Sequence, residues 1–294
     1  MKLIEVAAPE FDLALTLDSG QVFHWEPHGP GFIGTIDNQP VYAQQHGEFL
    51  LVSREAAPRV SRYFALDHRL GEICAAFPDD AAMHAARKYC CGLRIIRQPL
   101  WECLATFITS SMKQVAHIRQ MSQELRTRFG GERALLGIQL HLFPEAARLA
   151  QATERELRDC ALGYRAKNLL TTAQLVASGE ANLEAWRDLP DDKLRERLCI
   201  LPGVGPKVAN CVMLFAYERL RAFPIDVWIE RVLRERYFPR ARKLTASRLR
   251  TFCDNYFGEQ GGYAQQYLFH HARKTTPRRT AAGRRSSRKD AMGS

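Results

Sequence analysis

The stretch LPGVGPK, Leu201 to Lys207, constrains this chain more tightly than any other part of it. Leu-Pro-Gly-Val-Gly is a compact turn in which Leu201 and Val204 can pack inward. Gly203 and Gly205 permit backbone angles, and a close approach by another molecule, that a Cβ would resist. Pro206 suits the first position of a helix, where a missing N–H costs nothing. With helical patterns at Asp191–Ile200 before it and Pro206–Tyr217 after it, the turn reads as a helix–hairpin–helix. Its free N–H groups at a positive helix N-terminus make a ready phosphate site. Lys207 stands at the start of the second helix, beside whatever phosphate docks there. A lone lysine is ordinarily a solvated surface group, so the residues around it decide its meaning.

The 294 residues can bury a sizeable core and suggest two or three subdomains. Leu13, Leu15 and Leu17 alternate, and β-prone runs follow at Gln21–Trp25, Phe32–Ile36, Val41–Ala43 and Phe49–Val52, separated by Gly and Pro. That pattern predicts an antiparallel sheet of hairpins, with Asp18-Ser19-Gly20 a turn feeding the strand QVFHW. Helices are expected around Pro58–Leu66 and Asp80–Cys91. From about Gln98 the periodicity becomes helical, including a helix from Val115 to Gly130-Gly131 and one at Pro144–Gln151. Thr153 and Glu156 form a capping box, and further helices are expected at about Lys167–Ala177, from Asp226 to about Tyr237, and at Ala246–Tyr256 and Tyr263–Arg273. The fold class is therefore α+β. An antiparallel sheet domain with helices (1–97) precedes a mainly helical domain (98–273) that contains the hairpin 201–205, and a basic tail (274–294), expected to be disordered, closes the chain.

Charge points to a polyanionic partner. From Lys274 onward seven Lys/Arg stand against one Asp, so the tail holds +6 of the net +10 and the body +4. The eight cysteines have apolar flanks, as in ERLCILPG and NCVMLF, which suits buried reduced thiols. No C-x-x-C occurs and no four-cysteine cluster is available for zinc or iron–sulfur, so no metal site is expected. The N-terminus carries Glu5, Glu10 and Asp12 where a signal peptide needs an apolar run, and the expected location is intracellular.

Asp226, nineteen residues beyond Lys207, sits in RAFPIDVWIERVL at the N-cap of an amphipathic helix. Taken alone it is a structural cap. Hairpin, lysine and downstream aspartate together resemble the helix–hairpin–helix DNA glycosylase superfamily, in its bifunctional branch. SGQVFHW (Ser19–Trp25), LGYRAK (Leu162–Lys167), GYAQQYLF (Gly262–Phe269) and, with changes, FITSSMKQVAHI (Phe107–Ile118) are similar to segments of the 8-oxoguanine DNA glycosylase/lyase family, in order and across residues 11 to 271.

The resemblance implies an enzyme that flips the damaged base out of duplex DNA and holds the backbone through hairpin amides of Gly203, Val204 and Gly205. Lys207 would attack C1′ of the deoxyribose and displace 8-oxoguanine. The resulting Schiff base allows β-elimination 3′ of the abasic site. Nucleophilic attack needs the neutral amine, and Asp226 would stabilise the oxocarbenium-like sugar. The Gly20 carbonyl would accept the N7 proton that distinguishes the lesion from guanine. Phe269 and Cys211 would sandwich the base, and Gln265 would hydrogen-bond its Watson–Crick edge. Tyr164 would wedge into the gap, and Arg165 and Met112 would face the opposite strand. Without the resemblance, Phe269 and Cys211 read as core residues, Gln265 as a surface amide and Gly20 as a turn glycine. No cofactor is required, the hairpin–phosphate contact being a site that a monovalent cation could occupy, and the enzyme is expected to be a monomer.

Some positions depart from the family. Eukaryotic members carry Asn at Met112 and Arg at His117, both able to hydrogen-bond a widowed cytosine, whereas Met offers only apolar contact. Less strict discrimination for cytosine opposite the lesion is therefore expected. Trp228 stands where the family often has His. Two alternatives stay open: an alkylated-base glycosylase of the same superfamily, which would use an Asp without the hairpin lysine, and a non-catalytic helix–hairpin–helix DNA-binding protein, which needs the hairpin alone.

Overall fold

In the computed structural model, which describes residues 2–110 and 113–276, the chain adopts the expected α+β architecture. Strands β1 (Leu3–Ala7), β2 (Glu26–His28), β3 (Gly31–Ile36), β4 (Gln39–His46) and β5 (Phe49–Ser53) form one antiparallel sheet in the order β1-β5-β4-β3-β2. Hairpin turns set the register, with Ile36 opposite Gln39 across β3–β4 and His46 opposite Phe49 across β4–β5. Val41, Ala43, Leu50 and Val52 are buried against Val60 and Phe64 of the following helical segment.

Two expectations about the first thirty residues fail. Leu13, Leu15 and Leu17 lie not in a strand but in helix α1 (Leu13–Asp18), because the Asp12 carboxylate caps it by accepting from Leu15 N at 2.8 Å. Alternation over five residues also places Leu13 and Leu17 at i and i+4, and both are buried. QVFHW is not a strand either. A half-buried strand alternates, whereas Gln21, Val22, Phe23 and Trp25 are all buried. Phe23 enters the helical core while Val22 and Trp25 enter the sheet core. The segment is a plug between two cores.

Helices α2 (Ala57–Tyr63), α3 (Leu70–Ala75) and α4 (Ala81–Tyr89) complete the first region. An extended connection follows. Its Arg94, almost wholly buried, donates to the carbonyls of Ala65 (2.7 Å), His68 (2.8 Å) and Pro9 (3.0 Å), which offsets the cost of burying a guanidinium. The helical region holds α5 (Leu100–Ser110), α6 (Val115–Phe129), α7 (Ala146–Ala150), α8 (Glu154–Leu157), α9 (Arg165–Ala177), α10 (Asp191–Ile200), α11 (Pro206–Phe215), α12 (Val227–Val232), α13 (Ala246–Tyr256) and α14 (Gly261–Thr275). The capping box of Thr153 and Glu156 opens α8 as expected. Between α6 and α7 stands a hairpin that the periodicity did not announce, β6 (Glu132–Leu135) and β7 (Ile138–His141). Its two-residue turn, Leu136-Gly137, has positive φ at both positions. Beside it Arg126, buried in α6, pairs with Glu102 of α5. His24 of the plug lies 3.3 Å from the same carboxylate.

A second polar joint binds the two regions. Arg97 forks onto Asp67, and also meets Glu218. His68 bridges Glu218 (2.7 Å) and the Tyr263 hydroxyl (2.8 Å). The guanidinium of Arg97 holds the Asp67 carboxyl down at about 2, and hydrogen bonding by His68, followed by Arg97, does the same for Glu218.

Candidate active site

The hairpin is built as its residues dictate. Leu201 and Val204 are buried, Gly203 and Gly205 are exposed, and the turn closes with Val204 N donating to Leu201 O at 3.1 Å. Gly203 alone of the two glycines needs its conformational freedom, at φ +81°; a Cβ there would also meet Asn168 at 3.0 Å. Gly205 is extended at φ −98°, open to any residue, with nothing within 4 Å of its missing Cβ. Its value is therefore the space it leaves. As the N-cap of α11 it supplies no capping side chain, so the helix's first-turn N–H groups are left for an external acceptor.

Lys207 lies on the first turn of α11, half-buried, with Nζ 5.3 Å from the centre of the Phe107 ring on α5. One turn on, Cys211 is buried in the field of the lysine side chain. Burial pushes its thiol up to about 11, so it is a neutral, apolar-faced group at physiological pH. Asp226 is the N-cap of α12, its Oδ1 accepting from Trp228 N (3.0 Å) and Ile229 N (2.9 Å). Burial raises the Asp226 carboxyl above its ordinary range. The bond from Ile229 N and the positive charge of Lys207 pull it back. Lysine and thiol on one helix and the carboxylate that caps the next thus share one electrostatic environment. Lys207 also lines a cavity of about 200 Å³ with Asn210, Phe223, Ile225 and Glu230.

The remaining nominees fall into distinct groups. Gly20, at φ +87°, lies against Phe269: a Cβ would stand 3.2 Å from the ring. Gln265 is buried on α14. Its Nε2 donates to Pro224 O (3.0 Å), two residues before Asp226, while its buried Oε1 has no donor among the described residues. Tyr164 is 61% exposed at the start of α9, after a turn with positive φ at Ala161 and Gly163. Arg165 is buried and stacks on Tyr164 at 4.4 Å. His117 is exposed on α6, and Met112 lies outside the described residues.

Sequence reasoning missed the groups that hold these in place. Gln21 is fully buried, donating to Ser19 Oγ (2.9 Å) and Arg94 O (2.8 Å) and accepting from Ile96 N (2.8 Å). Gln266, the second glutamine of GYAQQYLF, donates to Ser19 O at 2.9 Å. The doubled glutamine was the available signal: one amide can face a ligand only if the other faces the protein. Among the described residues no group of three His, Cys, Asp or Glu is placed to hold a metal ion.

A helix–hairpin–helix open to phosphate, with a lysine on its first turn and a capping aspartate in its field, defines a DNA-repair protein of the helix–hairpin–helix class. Residues 105–254 match the HhH-GPD superfamily of base excision DNA repair proteins, and residues 3–104 match the N-terminal domain of 8-oxoguanine DNA glycosylase. The chain belongs to the 8-oxoguanine DNA glycosylase family within that superfamily. It is 29% identical over 286 residues to the N-glycosylase/DNA lyase of Arabidopsis thaliana, covering 90% of this chain and 78% of that protein. The apo structure of the Clostridium acetobutylicum 8-oxoguanine glycosylase/lyase superposes with a TM-score of 0.86 at 32% identity, covering 92% of this chain and 96% of that one. The same enzyme bound to double-stranded DNA with cytosine opposite 8-oxoguanine gives 0.85 at 31%, covering 93% and 98%.

Proposed function

We propose that this chain is a bifunctional DNA glycosylase/AP lyase of base excision repair that removes 8-oxoguanine from duplex DNA. The observation that carries the reading is Lys207 on the first turn of the hairpin helix, in the field of Asp226 and one turn from buried Cys211. The neutral amine attacks C1′ as the glycosidic C–N bond breaks and the base leaves with that electron pair. Asp226 stabilises the positive charge that develops on the sugar. The sugar ring then opens, the C1′–O4′ bond breaking as the nitrogen gives up a proton and O4′ gains one, and the resulting Schiff base acidifies the C2′ hydrogens, so loss of one expels the 3′ phosphate. The Cys211 thiol, kept protonated by burial, offers one apolar face to the extruded base and Phe269 the other. The Gly20 carbonyl takes the N7 proton, and the free Oε1 of Gln265 takes a donor from the Watson–Crick edge. Tyr164, exposed where α9 begins, fills the vacated space, with Arg165 stacked behind it.

The hairpin amides of Gly203 and Gly205 grip phosphate without reading sequence, whereas the Val204 N–H, expected to join them, is spent on Leu201 O in closing the turn. Among hairpin carbonyls, Leu201 O accepts from Val204 N and Pro202 O from Thr172 Oγ1 (3.2 Å), each with a second lone pair left. A monovalent cation could bridge these oxygens to phosphate there, and the reaction requires no cofactor. The enzyme works as a monomer on DNA inside the cell. Among the described residues no helix is long and apolar enough to cross a membrane. An alkylated-base glycosylase would have no use for Lys207, and a binding module no use for Asp226 beside it.

Borohydride should trap the wild-type chain covalently on an 8-oxoguanine duplex, and Lys207→Gln should give no adduct. A robust adduct from the glutamine variant would overturn the assignment of the nucleophile.

A further inference from the structure

Gly20 and Phe269 stand at opposite ends of the chain, yet under the functional reading above they must form one pocket in fixed register. Two side chains of α14 tie them together. Gln266 Nε2 donates to Ser19 O at 2.9 Å, and about two turns further on Arg273 Nη2 donates to Asp18 O. Phe269 lies between them on the same face. The Arg273 guanidinium sits 5.7 Å from the centre of the Phe269 ring, and its Nη1 would be 3.8 Å from a Cβ on Gly20. The same nitrogen that holds Asp18 O is 3.1 Å from His270 Nδ1. Both Arg273 (3.8 Å) and Lys274 (2.5 Å) meet the Asp18 carboxylate. The turn carrying the nominated lesion-reading carbonyl is thus pinned through its two preceding carbonyls by the helix carrying the stacking ring.

We propose that Arg273 is a positioning residue for lesion specificity, clamping the Asp18–Gly20 turn to α14 so that the Gly20 carbonyl meets the N7 edge of a base stacked on Phe269. The physical demand is geometric. A carbonyl attracts N7–H of 8-oxoguanine and repels the N7 lone pair of guanine only at hydrogen-bond distance, and both effects fade if the turn can retreat. This inference rests on the functional reading. It makes a separable prediction, because cleavage at a preformed abasic site uses Lys207 but puts no base in the pocket.

The test compares Arg273→Met, which keeps an apolar stem under the ring, with Arg273→Lys, which keeps a charge able to reach Asp18. Single-turnover release of 8-oxoguanine by the Met variant should fall on the order of 10–100-fold, as expected for a misplacement of about 1 Å. Cleavage of abasic duplex should stay within about twofold, and Lys should restore part of the loss. Hydrogen exchange across residues 18–21 in the DNA-free protein should quicken in the Met variant. Equal loss of both activities, excision at the wild-type rate in both variants, or unchanged exchange at the turn each overturns the clamp. The exchange readout needs no substrate, so it judges the clamp even if the wild-type chain releases no 8-oxoguanine, a result that would instead sink the functional reading.

Discussion

The two hairpin glycines should separate stability from DNA binding. In Gly203→Ala the new residue must sit at φ +81°, a left-handed conformation that costs an L-residue about 1–2 kcal/mol. Its methyl would press on Asn168 of α9 at 3.0 Å and on Ile108 of α5 at 3.2 Å, both on packed helices, adding about 1–3 kcal/mol of overpacking. Together these approach a large fraction of the roughly 5–15 kcal/mol that holds a domain folded. Gly205→Ala meets neither cost, since its backbone is extended and its methyl has nothing within 4 Å. Its folding penalty should stay below about 1 kcal/mol, the difference between glycine and alanine at an N-cap. That methyl stands where a phosphate must approach the first turn of α11. Losing one charge-assisted bond of about 1.5–3 kcal/mol weakens binding roughly 10–100-fold. Urea denaturation and fluorescence anisotropy with an uncleavable duplex measure the two effects. The reasoning fails if Gly205→Ala is destabilised as much as Gly203→Ala, or if it binds DNA as tightly as wild type.

Asp226→Asn retains an N-cap acceptor for Trp228 and Ile229, so its melting temperature should barely change while excision falls on the order of 10²–10³-fold; Asp226→Ala should lose about 1 kcal/mol of stability as well. Because burial raises the Asp226 carboxyl, the acid limb of the excision profile should lie above the ordinary aspartate value, and a limb at or below that value would refute the carboxylate's role. Buried His270 is held neutral, its pKa lowered to about 4 by burial and then by Arg273. The unfolded chain takes that proton near 6.5, so the stability is complete above pH 6.5 and drains away as pH falls towards 4, by at most about 3 kcal/mol; denaturation midpoints of wild type and His270→Gln should converge across that window. With Met112 and His117 where the resemblance places Asn and Arg in eukaryotic members, excision opposite C, A, G and T should discriminate less strictly for C, and a strong preference for C would contradict this.

What the sequence determined by itself was what short-range chemistry encodes. The hairpin, the capping box at Thr153 and the cap at Asp226 are set by residues within three or four positions, and each stands where the pattern put it. Local patterns failed where one pattern serves two structures. Three alternating leucines fit α1 as well as a strand, and the apolar QVFHW gave no sign that its side chains enter two different cores. Only the tertiary structure decided how residues from the two ends of the chain meet. Gly20 against Phe269, Gln266 on Ser19 O and Arg273 on Asp18 O are contacts between a turn and a helix some 250 positions apart. No periodicity encodes such contacts, because they depend on how the sheet and helical regions dock through Arg97 on Glu218, His68 on Tyr263, and the plug. The chemistry at Lys207 is written locally in LPGVGPK, whereas the geometry with which Gly20 reads the base exists only once the two regions have closed on each other.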